Sequence, residues 1–298
     1  MNLIHSTNCP ACLFSGIQEV LRVTDHTVTG ERFVIWQCSN CGLRFTQDVP
    51  DAISIGKYYK SENYISHSNT STGVVNRLYH LVRRYTIKSK RKFVERYSGL
   101  KRGNLLDIGA GAGVFAASML GAGWNVTALE PDASARAVAA KSYGIIEREV
   151  NDLFKLQEYS FDVVTLWHVL EHIHPLHEYL RQVKKIIRKK GIVLIAVPNY
   201  TSFDANVYKE YWAAYDVPRH LYHFSPAAMK CLLEKQGFIL IASHPMWFDS
   251  FYVSLLSEKY KNGKGNLLKG FVNGIVSNIK ALSDKDKCSS LIYVAQVL

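Results

Sequence analysis

The stretch from Asp107 to Gly113, read together with Glu130, has the residue types of a ligand-binding turn. The apolar residues before it predict a buried strand that turns at once into a helix, and its glycines leave bare backbone on which a ligand can lie. One carboxylate stands two residues before the first glycine, and a second ends the next apolar run, residues 124–129. Two carboxylates around a bare turn suit a ligand that combines a nucleoside with positive charge.

The glycine spacing separates this turn from a dinucleotide site. A dinucleotide site has the pattern G-x-G-x-x-G, whereas here the third glycine comes one place early and Val114 takes the expected position. The Asp107 carboxylate would also repel a pyrophosphate. S-adenosylmethionine carries an ammonium and a sulfonium but no phosphate, so Asp107 can pair with its ammonium and Glu130 can accept both ribose hydroxyls. The alternatives are an NAD or flavin site, or a turn without a cofactor.

Three further stretches, residues 161–172, 191–198 and 220–226, complete a family pattern. With them the chain resembles the class I S-adenosylmethionine-dependent methyltransferases, in particular the methyltransferase-23 group, over about residues 101–248 and the last strand. Strands and helices alternate along this region, which predicts a parallel sheet with helices on both faces. The expected fold is therefore α/β, with a Rossmann-like, seven-stranded, mostly parallel sheet whose last strand is antiparallel.

Ligands of an open parallel sheet lie beyond the carboxyl ends of its strands. Asn151 and Asp152 follow the third predicted strand, 145–150, where a side chain can pair with the adenine amino group. The resemblance favours Asp152 for this role, and the alternative is that Asp152 caps a short helix. Trp167 and His168 follow the fourth strand and are expected against the methionine end. The predicted cofactor-binding residues are Asp107, Gly109, Ala110, Gly111, Gly113, Glu130, Pro131, Asn151, Asp152, Trp167 and His168.

A long loop rich in aromatic residues and histidines follows the fifth predicted strand and reaches His223. Methyl transfer requires an acceptor held in line with the methyl group, and a protonated acceptor also requires a base. Histidine titrates near neutral pH, so His220 and His223 are the candidate bases. The predicted substrate-binding residues are Trp167, Tyr215, Arg219 and Tyr222. The alternative is that these loop residues attach the loop to the sheet by hydrogen bonds.

His168 to His172 also match the H-x-x-E-H pattern of zinc peptidases. That pattern requires both histidines on one face of a helix that is already under way. Here the motif directly follows a buried strand, so we do not expect a catalytic zinc ion. Glu171 and His172 are expected to shape the floor of the pocket or to satisfy backbone groups.

Two C-x-x-C pairs near the N-terminus, Cys9 with Cys12 and Cys38 with Cys41, have metal-ligand spacing. Two such pairs complete a tetrahedral thiolate site, which predicts a zinc ribbon with structural zinc. Disulfides or a redox pair are the alternatives. The N-terminal module resembles that of the sugar C-methyltransferases, which act on nucleotide-linked sugars.

The net charge of +11 is concentrated in residues 74–102, which hold ten lysines and arginines and one acidic residue. A basic helix is predicted over 74–98, and it suits RNA, an anionic membrane surface, a phosphorylated substrate or simply solvent. No apolar run is long enough to span a membrane, and the first residues lack a signal pattern. A cytoplasmic protein is therefore expected.

Three segments are predicted along the chain. Residues 1–50 form the zinc-ribbon-like module, 51–100 a linker and the basic helix, and 101–298 the methyltransferase domain, with 249–288 an insertion before the last strand. The predicted function is methyl transfer to a small-molecule acceptor, such as a sugar or a polysaccharide or secondary-metabolite precursor. An RNA methyltransferase and a non-catalytic cofactor-binding module are the alternatives.

Overall fold

A computed structural model describes residues 2–59 and 74–297, with only the backbone at 74–81. Its strands, in chain order, are β1 Leu3–Ile4, β2 Ile17–Thr24, β3 Arg32–Cys38, β4 Arg44–Thr46, β5 Val49–Pro50, β6 Asn104–Ile108, β7 Asn125–Leu129, β8 Phe161–Trp167, β9 Ile187–Pro198, β10 Tyr222–His223, β11 Phe238–Pro245 and β12 Ser290–Val297. Its α-helices are α1 Val74–Ser98, α2 Val114–Gly121, α3 Ala133–Tyr143, α4 Leu176–Ile186, α5 Phe203–Tyr208, α6 Pro226–Lys235, α7 Asp249–Asn262 and α8 Leu267–Ser283.

The largest sheet has the strand order β11-β12-β9-β8-β6-β7. Its central strands run parallel, and β12 lies antiparallel between β9 and β11. This confirms the Rossmann-like fold and the antiparallel last strand. The predicted third strand contributes only a single bridge, between Arg148 and Leu129, so this sheet has six strands among the described residues rather than the predicted seven.

Local capping signals set the ends of α3 and the start of α6. The Asp132 carboxylate accepts the Ala135 N–H at the start of α3, and Gly144 ends that helix in the left-handed conformation. The Ser225 hydroxyl accepts the Ala228 N–H, and Pro226 is the first residue of α6. These caps satisfy backbone N–H groups that have no partner within the helix.

A second, four-stranded sheet has the order β10-β4-β3-β2. Strand β10 comes from the long loop after β9, and it pairs antiparallel with β4, placing Tyr222 opposite Phe45 and His223 opposite Arg44. The N-terminal segment and the loop that carries the predicted substrate-binding residues Tyr215, Arg219 and Tyr222 therefore share one sheet.

Helices α7 and α8 fill the segment predicted as an insertion, and they pack against each other. Within the residues that the structure describes, no helix combines the length and the apolar composition needed to cross a membrane.

Candidate active site

The turn after β6 is a tight glycine elbow. Gly109, Gly111 and Gly113 all adopt left-handed backbone conformations, with φ of 70°, 60° and 74°. A Cβ on Gly109 would lie 2.4 Å from the Cγ2 atom of Val169, so only glycine fits there. The N–H groups of Gly109 and Ala110 both donate to the Leu129 carbonyl. The elbow is therefore held against the end of β7.

Glu130 lies beside this elbow, buried at the end of β7. Its Oε2 atom accepts the Gly111 N–H at 2.8 Å, and its Oε1 atom accepts the Asp132 N–H at 2.9 Å. A carboxylate oxygen can accept two hydrogen bonds, so each oxygen retains one acceptor position. The carboxylate is thus fixed in place and can still accept hydroxyl donors.

Asp107 is only 1% exposed at the end of β6. Its Oδ1 atom accepts a hydrogen bond from the Thr165 hydroxyl at 2.7 Å. Burial raises the pKa of Asp107 to about 7, although this hydrogen bond and the nearby Lys90 ammonium oppose the shift. A buried carboxylate with a raised pKa gains most from a ligand that brings a positive charge.

Lys90 of α1 points into the same region, whereas from the sequence it is one of the ten basic residues of 74–102. Its Nζ atom lies 4.4 Å from the centroid of the Trp167 ring. Burial lowers the pKa of Lys90 to about 8, against the attraction of Asp107 and Asp249. The available signal was helical spacing, because Lys90 lies four residues before Val94, a buried residue of α1.

His168 stands at the end of β8 in a left-handed conformation, with φ of 59°. Its Nε2 atom lies 3.0 Å from the Asp249 carboxylate, and its Nδ1 atom lies 3.5 Å from that of Glu171. Burial opposes a charge on His168, but the two carboxylates prevail and raise its pKa to about 9. His168 is therefore a cation that joins the end of β8 to the start of α7.

Glu171 is fully buried, and neither of its carboxylate oxygens meets a hydrogen-bond donor at normal distance and angle among the described residues. Ligand atoms of Glu171, His172 and His220 all lie within 4.8 Å of one another. Burial opposes the charge on Glu171, but the neighbouring histidines, above all His168, hold its pKa below the usual value. The sequence motif placed Glu171 beside His172 but gave no sign that His220 would join them.

The tautomers of the two histidines follow from their neighbours. His220 Nδ1 lies 2.8 Å from the Ala214 carbonyl, and His172 Nδ1 lies 3.0 Å from the Arg219 carbonyl. A carbonyl oxygen only accepts, so each Nδ1 carries the hydrogen and each neutral ring has its lone pair on Nε2. His220 can therefore accept a proton at Nε2, which lies 4.0 Å from the Asp216 carboxylate, and its ring lies in the cluster that contains the buried Glu171 carboxylate.

His223, the other predicted base, does not belong to this cluster. It is buried in β10, where its Nε2 atom lies 3.1 Å from the Thr46 hydroxyl and its ring packs edge-on against Tyr215. Burial, with His220 and Arg44 nearby, lowers the pKa of His223 well below its usual value. This position joins the loop to the N-terminal sheet rather than facing the elbow.

Arg219, a predicted substrate-binding residue, forms hydrogen bonds with other protein groups. Its guanidinium is buried and donates to Asp25 at 2.9 Å, to Asp216 at 2.7 Å and to the Tyr58 carbonyl at 2.7 Å. Two carboxylates already balance its charge, so a substrate anion would meet a filled site. Arg219 thereby ties the loop to the N-terminal segment.

Tyr215 and Tyr222, the remaining loop residues predicted to bind substrate, are likewise buried. The Tyr215 hydroxyl accepts a hydrogen bond from Arg44 at 2.8 Å, and the Tyr222 hydroxyl donates to the His174 carbonyl at 3.1 Å. Of the four predicted substrate-binding residues, only Trp167 lies at the elbow, where its ring packs edge-on against Phe115 and beneath Lys90.

Asn151 and Asp152 lie in a 3-10 helix, Val150–Lys155, that follows the bridge at Arg148. The Asp152 carboxylate accepts a hydrogen bond from Lys155 at 2.8 Å. This ion pair, led by the hydrogen bond, lowers the pKa of Asp152. Asp152 is thus an ionised, partly exposed hydrogen-bond acceptor in the first turn of that helix. Pro131, between Glu130 and the α3 cap, directs its carbonyl to Arg136.

The four N-terminal cysteines form one buried cluster. The Sγ atoms of Cys9 and Cys41 lie 3.6 Å apart, and those of Cys12 and Cys38 lie 3.5 Å apart. A tetrahedral zinc site with Zn–S bonds of about 2.3 Å has sulfur–sulfur distances of about 3.8 Å. The cysteines are not joined as disulfides, and their arrangement fits one tetrahedral ion.

Comparison with known proteins finds matches to the central region of the chain. The model of the Methyltransf_23 family, a methyltransferase domain, matches residues 82–243. The ubiquinone biosynthesis O-methyltransferase of Rickettsia prowazekii is 28% identical over 156 residues, which cover 49% of this chain and 58% of that protein. That of Sodalis glossinidius is 31% identical over 113 residues, which cover 36% of this chain and 45% of that protein. The chain thus matches only about half the length of these curated relatives.

Among solved structures, the magnesium protoporphyrin IX methyltransferase of Synechocystis PCC 6803, with bound S-adenosylhomocysteine, superposes with a TM-score of 0.50 at 13% identity. The match covers 82% of this chain and 92% of that one. At this identity the likeness shows the fold alone.

Proposed function

Because this chain belongs to the Methyltransf_23 family of methyltransferase domains, we propose that it transfers the methyl group of S-adenosylmethionine to a small-molecule acceptor. The observation that carries the proposal is Asp107, a buried carboxylate of raised pKa beside a bare glycine elbow. When bound, S-adenosylmethionine supplies an electrophilic methyl group. The residues of this chain must then hold the cofactor, orient the acceptor and remove its proton.

Three side chains match the polar groups of that cofactor. Asp107 suits the ammonium, because a cation offsets the cost of ionising a buried carboxylate. Lys90 suits the cofactor carboxylate, since its ammonium lies near Asp107 and above the Trp167 ring. Glu130 suits the ribose hydroxyls through the acceptor position that remains on each of its oxygens.

We assign the general base to His220. Its Nε2 lone pair can take the proton of an acceptor hydroxyl as the oxygen–methyl bond forms and the electrons of the methyl–sulfur bond return to sulfur. The buried Glu171 carboxylate stabilises the resulting imidazolium. The O-methyltransferase relatives support a hydroxyl acceptor, and a sugar hydroxyl or a precursor of a polysaccharide or secondary metabolite falls in this class.

An unbiased labelling experiment tests the acceptor class. Purified protein is incubated with methyl-labelled S-adenosylmethionine and either the small-molecule extract or the total RNA of the source organism. We expect label in an extract component and none in RNA. Label in RNA alone would assign the chain to the alternative predicted from its basic helix, and label in neither would favour a binding module without turnover.

We also propose that the four-cysteine cluster holds structural zinc. The variant Cys38→Ser removes one thiolate, so we expect bound zinc to fall from one equivalent to below 0.1, roughly, because a closed four-ligand site depends on every ligand. The matched control is Cys288→Ser, which alters a buried cysteine outside the cluster. Metal content by atomic emission gives the readout, and a Cys38→Ser protein with a full equivalent of zinc would refute the assignment.

A further inference from the structure

Helix α8 packs with its small residues inward. The side of α8 that is buried against the protein carries Gly270, Gly274, Ser277 and Ala281. A Cβ on Gly270 would lie 2.9 Å from the Cα atom of Leu255 in α7, and one on Gly274 would lie 2.7 Å from the Phe251 ring. The two helices therefore approach closely, and among the large side chains of α8 the Phe271 ring also meets α7, with its centroid 5.3 Å from that of Phe251.

The large apolar side chains of α8 point outward instead. Leu268 is 75% exposed and Leu282 is 76% exposed, and the whole set is Leu267, Leu268, Phe271, Val272, Ile275, Ile279 and Leu282. We call these seven side chains the α8 surface. A helix on a water-facing protein surface normally places its apolar side chains inward and its polar ones outward. The α8 surface reverses this arrangement, and a contiguous exposed apolar patch marks an interaction site.

The patch continues from α8 onto the start of α7. A groove of about 220 Å³ lies between the two helices, lined by Trp247, Phe251, Ile275, Asn278, Ile279 and Leu282. The aromatic residues Trp247, Phe248 and Tyr252 are also partly or largely exposed beside it. Aromatic residues of this kind favour the boundary between water and lipid.

The charges on the stretch from Lys259 to Ser283, which carries most of this apolar patch, have one sign. From Lys259 to Ser283 the chain contains no acidic residue. It contains five lysines, all exposed, namely Lys259, Lys261, Lys264, Lys269 and Lys280. Lys269 lies 3.5 Å from the buried Glu258. The other four exposed lysines therefore supply most of the positive charge that a partner would meet.

The basic helix α1 borders the same patch. The ring of Tyr85 lies 5.6 Å from that of Phe248, next to the start of α7. Arg84 and Lys88 are exposed within one turn of Tyr85. The excess charge of α1 thus lies on a helix that reaches the edge of the exposed apolar region.

We propose that the α8 surface docks on an anionic lipid membrane. An apolar face ringed by lysines matches acyl chains beneath negatively charged headgroups. A second copy of this chain would bring lysine against lysine, so charge complementarity favours the lipid. Helix α8 has 17 residues, and no described helix can span a bilayer, so the helix lies along the membrane surface. This inference rests on α7 and α8 and does not depend on the proposed methyl transfer.

Vesicle flotation tests the apolar contribution. The wild-type protein should float with vesicles of phosphatidylcholine and phosphatidylglycerol at low salt, and less with phosphatidylcholine alone or at high salt. The triple variant L268S/F271S/I279S should lose at least about tenfold in vesicle partitioning. The control I53S/I146S alters two residues that are 92% and 90% exposed elsewhere, and it should float like the wild type.

A charge-reversed pair tests the lysines. The variant K261E/K264E should bind phosphatidylglycerol vesicles about tenfold more weakly. The variant K141E/K189E, at exposed lysines outside residues 249–283, should bind nearly as well as the wild type. Equal losses in both variants would show non-specific attraction and overturn the proposal. It would also be overturned if the wild type failed to float, or if L268S/F271S/I279S only dissociated a dimer in sedimentation velocity.

Discussion

Replacing Asp107 with asparagine should weaken the binding of S-adenosylhomocysteine about 100-fold without unfolding the protein. This ligand retains the ammonium of S-adenosylmethionine, and removing one partner of a buried ion pair costs about 3 kcal/mol or more, where about 1.4 kcal/mol is a tenfold change in affinity. The amide oxygen of asparagine can still accept the hydrogen bond that the Thr165 hydroxyl donates to Asp107. Titration calorimetry measures the affinity, and an unchanged dissociation constant would contradict the assigned role.

The same variant should remove a pH dependence. Burial raises the pKa of Asp107 to about 7 in the free protein, and a bound ammonium favours the ionised form. Affinity should therefore fall as the pH drops below 7, by about tenfold per unit, with proton uptake by the free protein. The affinity of Asp107→Asn should not change with pH over this range. Burial also raises the pKa of Glu147 to about 7, and since the variant keeps Glu147, any slope that persists belongs to that group.

The sign of the stability effect gives an independent check. A carboxyl whose pKa is higher in the folded than in the unfolded chain makes folding less favourable as the pH rises from about 4 towards about 7. Above pH 7 the wild type therefore holds an ionised carboxylate at a buried position that favours the neutral form, and Asp107→Asn should melt at the same or a higher temperature. A large loss of stability at pH 8 would mean that Asp107 supports the fold rather than a ligand.

The variant His220→Asn should lower the rate of methyl transfer about 10² to 10⁴-fold, the usual contribution of a general base. The asparagine amide can donate to the Ala214 carbonyl as His220 Nδ1 does, but it cannot accept a proton. Binding of S-adenosylhomocysteine should remain within about twofold, since the cofactor side chains are untouched. Label transfer to the small-molecule extract gives the rate.

His223→Gln is the matched control for that result. Glutamine can preserve the contact with the Thr46 hydroxyl, and we expect lower thermal stability but a methyl-transfer rate within a few fold of the wild type. If His220→Asn retained full activity while His223→Gln lost it, the base assignment would have to move to β10.

The elements that the sequence predicted well are those with local causes. The elbow at Gly109 requires left-handed backbone, and the C-x-x-C pairs bring ligands together within one turn. In each case the physical requirement lies within a few residues of the motif. The predicted third strand failed because only Arg148 of that segment pairs with β7.

The parts that were missed depend on contacts between distant segments. Glu171 meets His220, 49 positions later in the chain, only because the loop after β9 folds back over the end of β8. Arg219 resembled an anion ligand, but Asp25 of the N-terminal segment already neutralises it. Lys90 was grouped with the other basic residues of α1 because charge counts do not show which face of a helix each residue occupies.

The ligand that the elbow between Asp107 and Glu130 binds decides between an S-adenosylmethionine site and a dinucleotide site. Titration calorimetry of the wild-type protein with S-adenosylhomocysteine and, separately, with NAD⁺ measures this directly. We predict one site for S-adenosylhomocysteine per chain and no heat of binding for NAD⁺. Saturable binding of NAD⁺, with none for S-adenosylhomocysteine, would contradict the account.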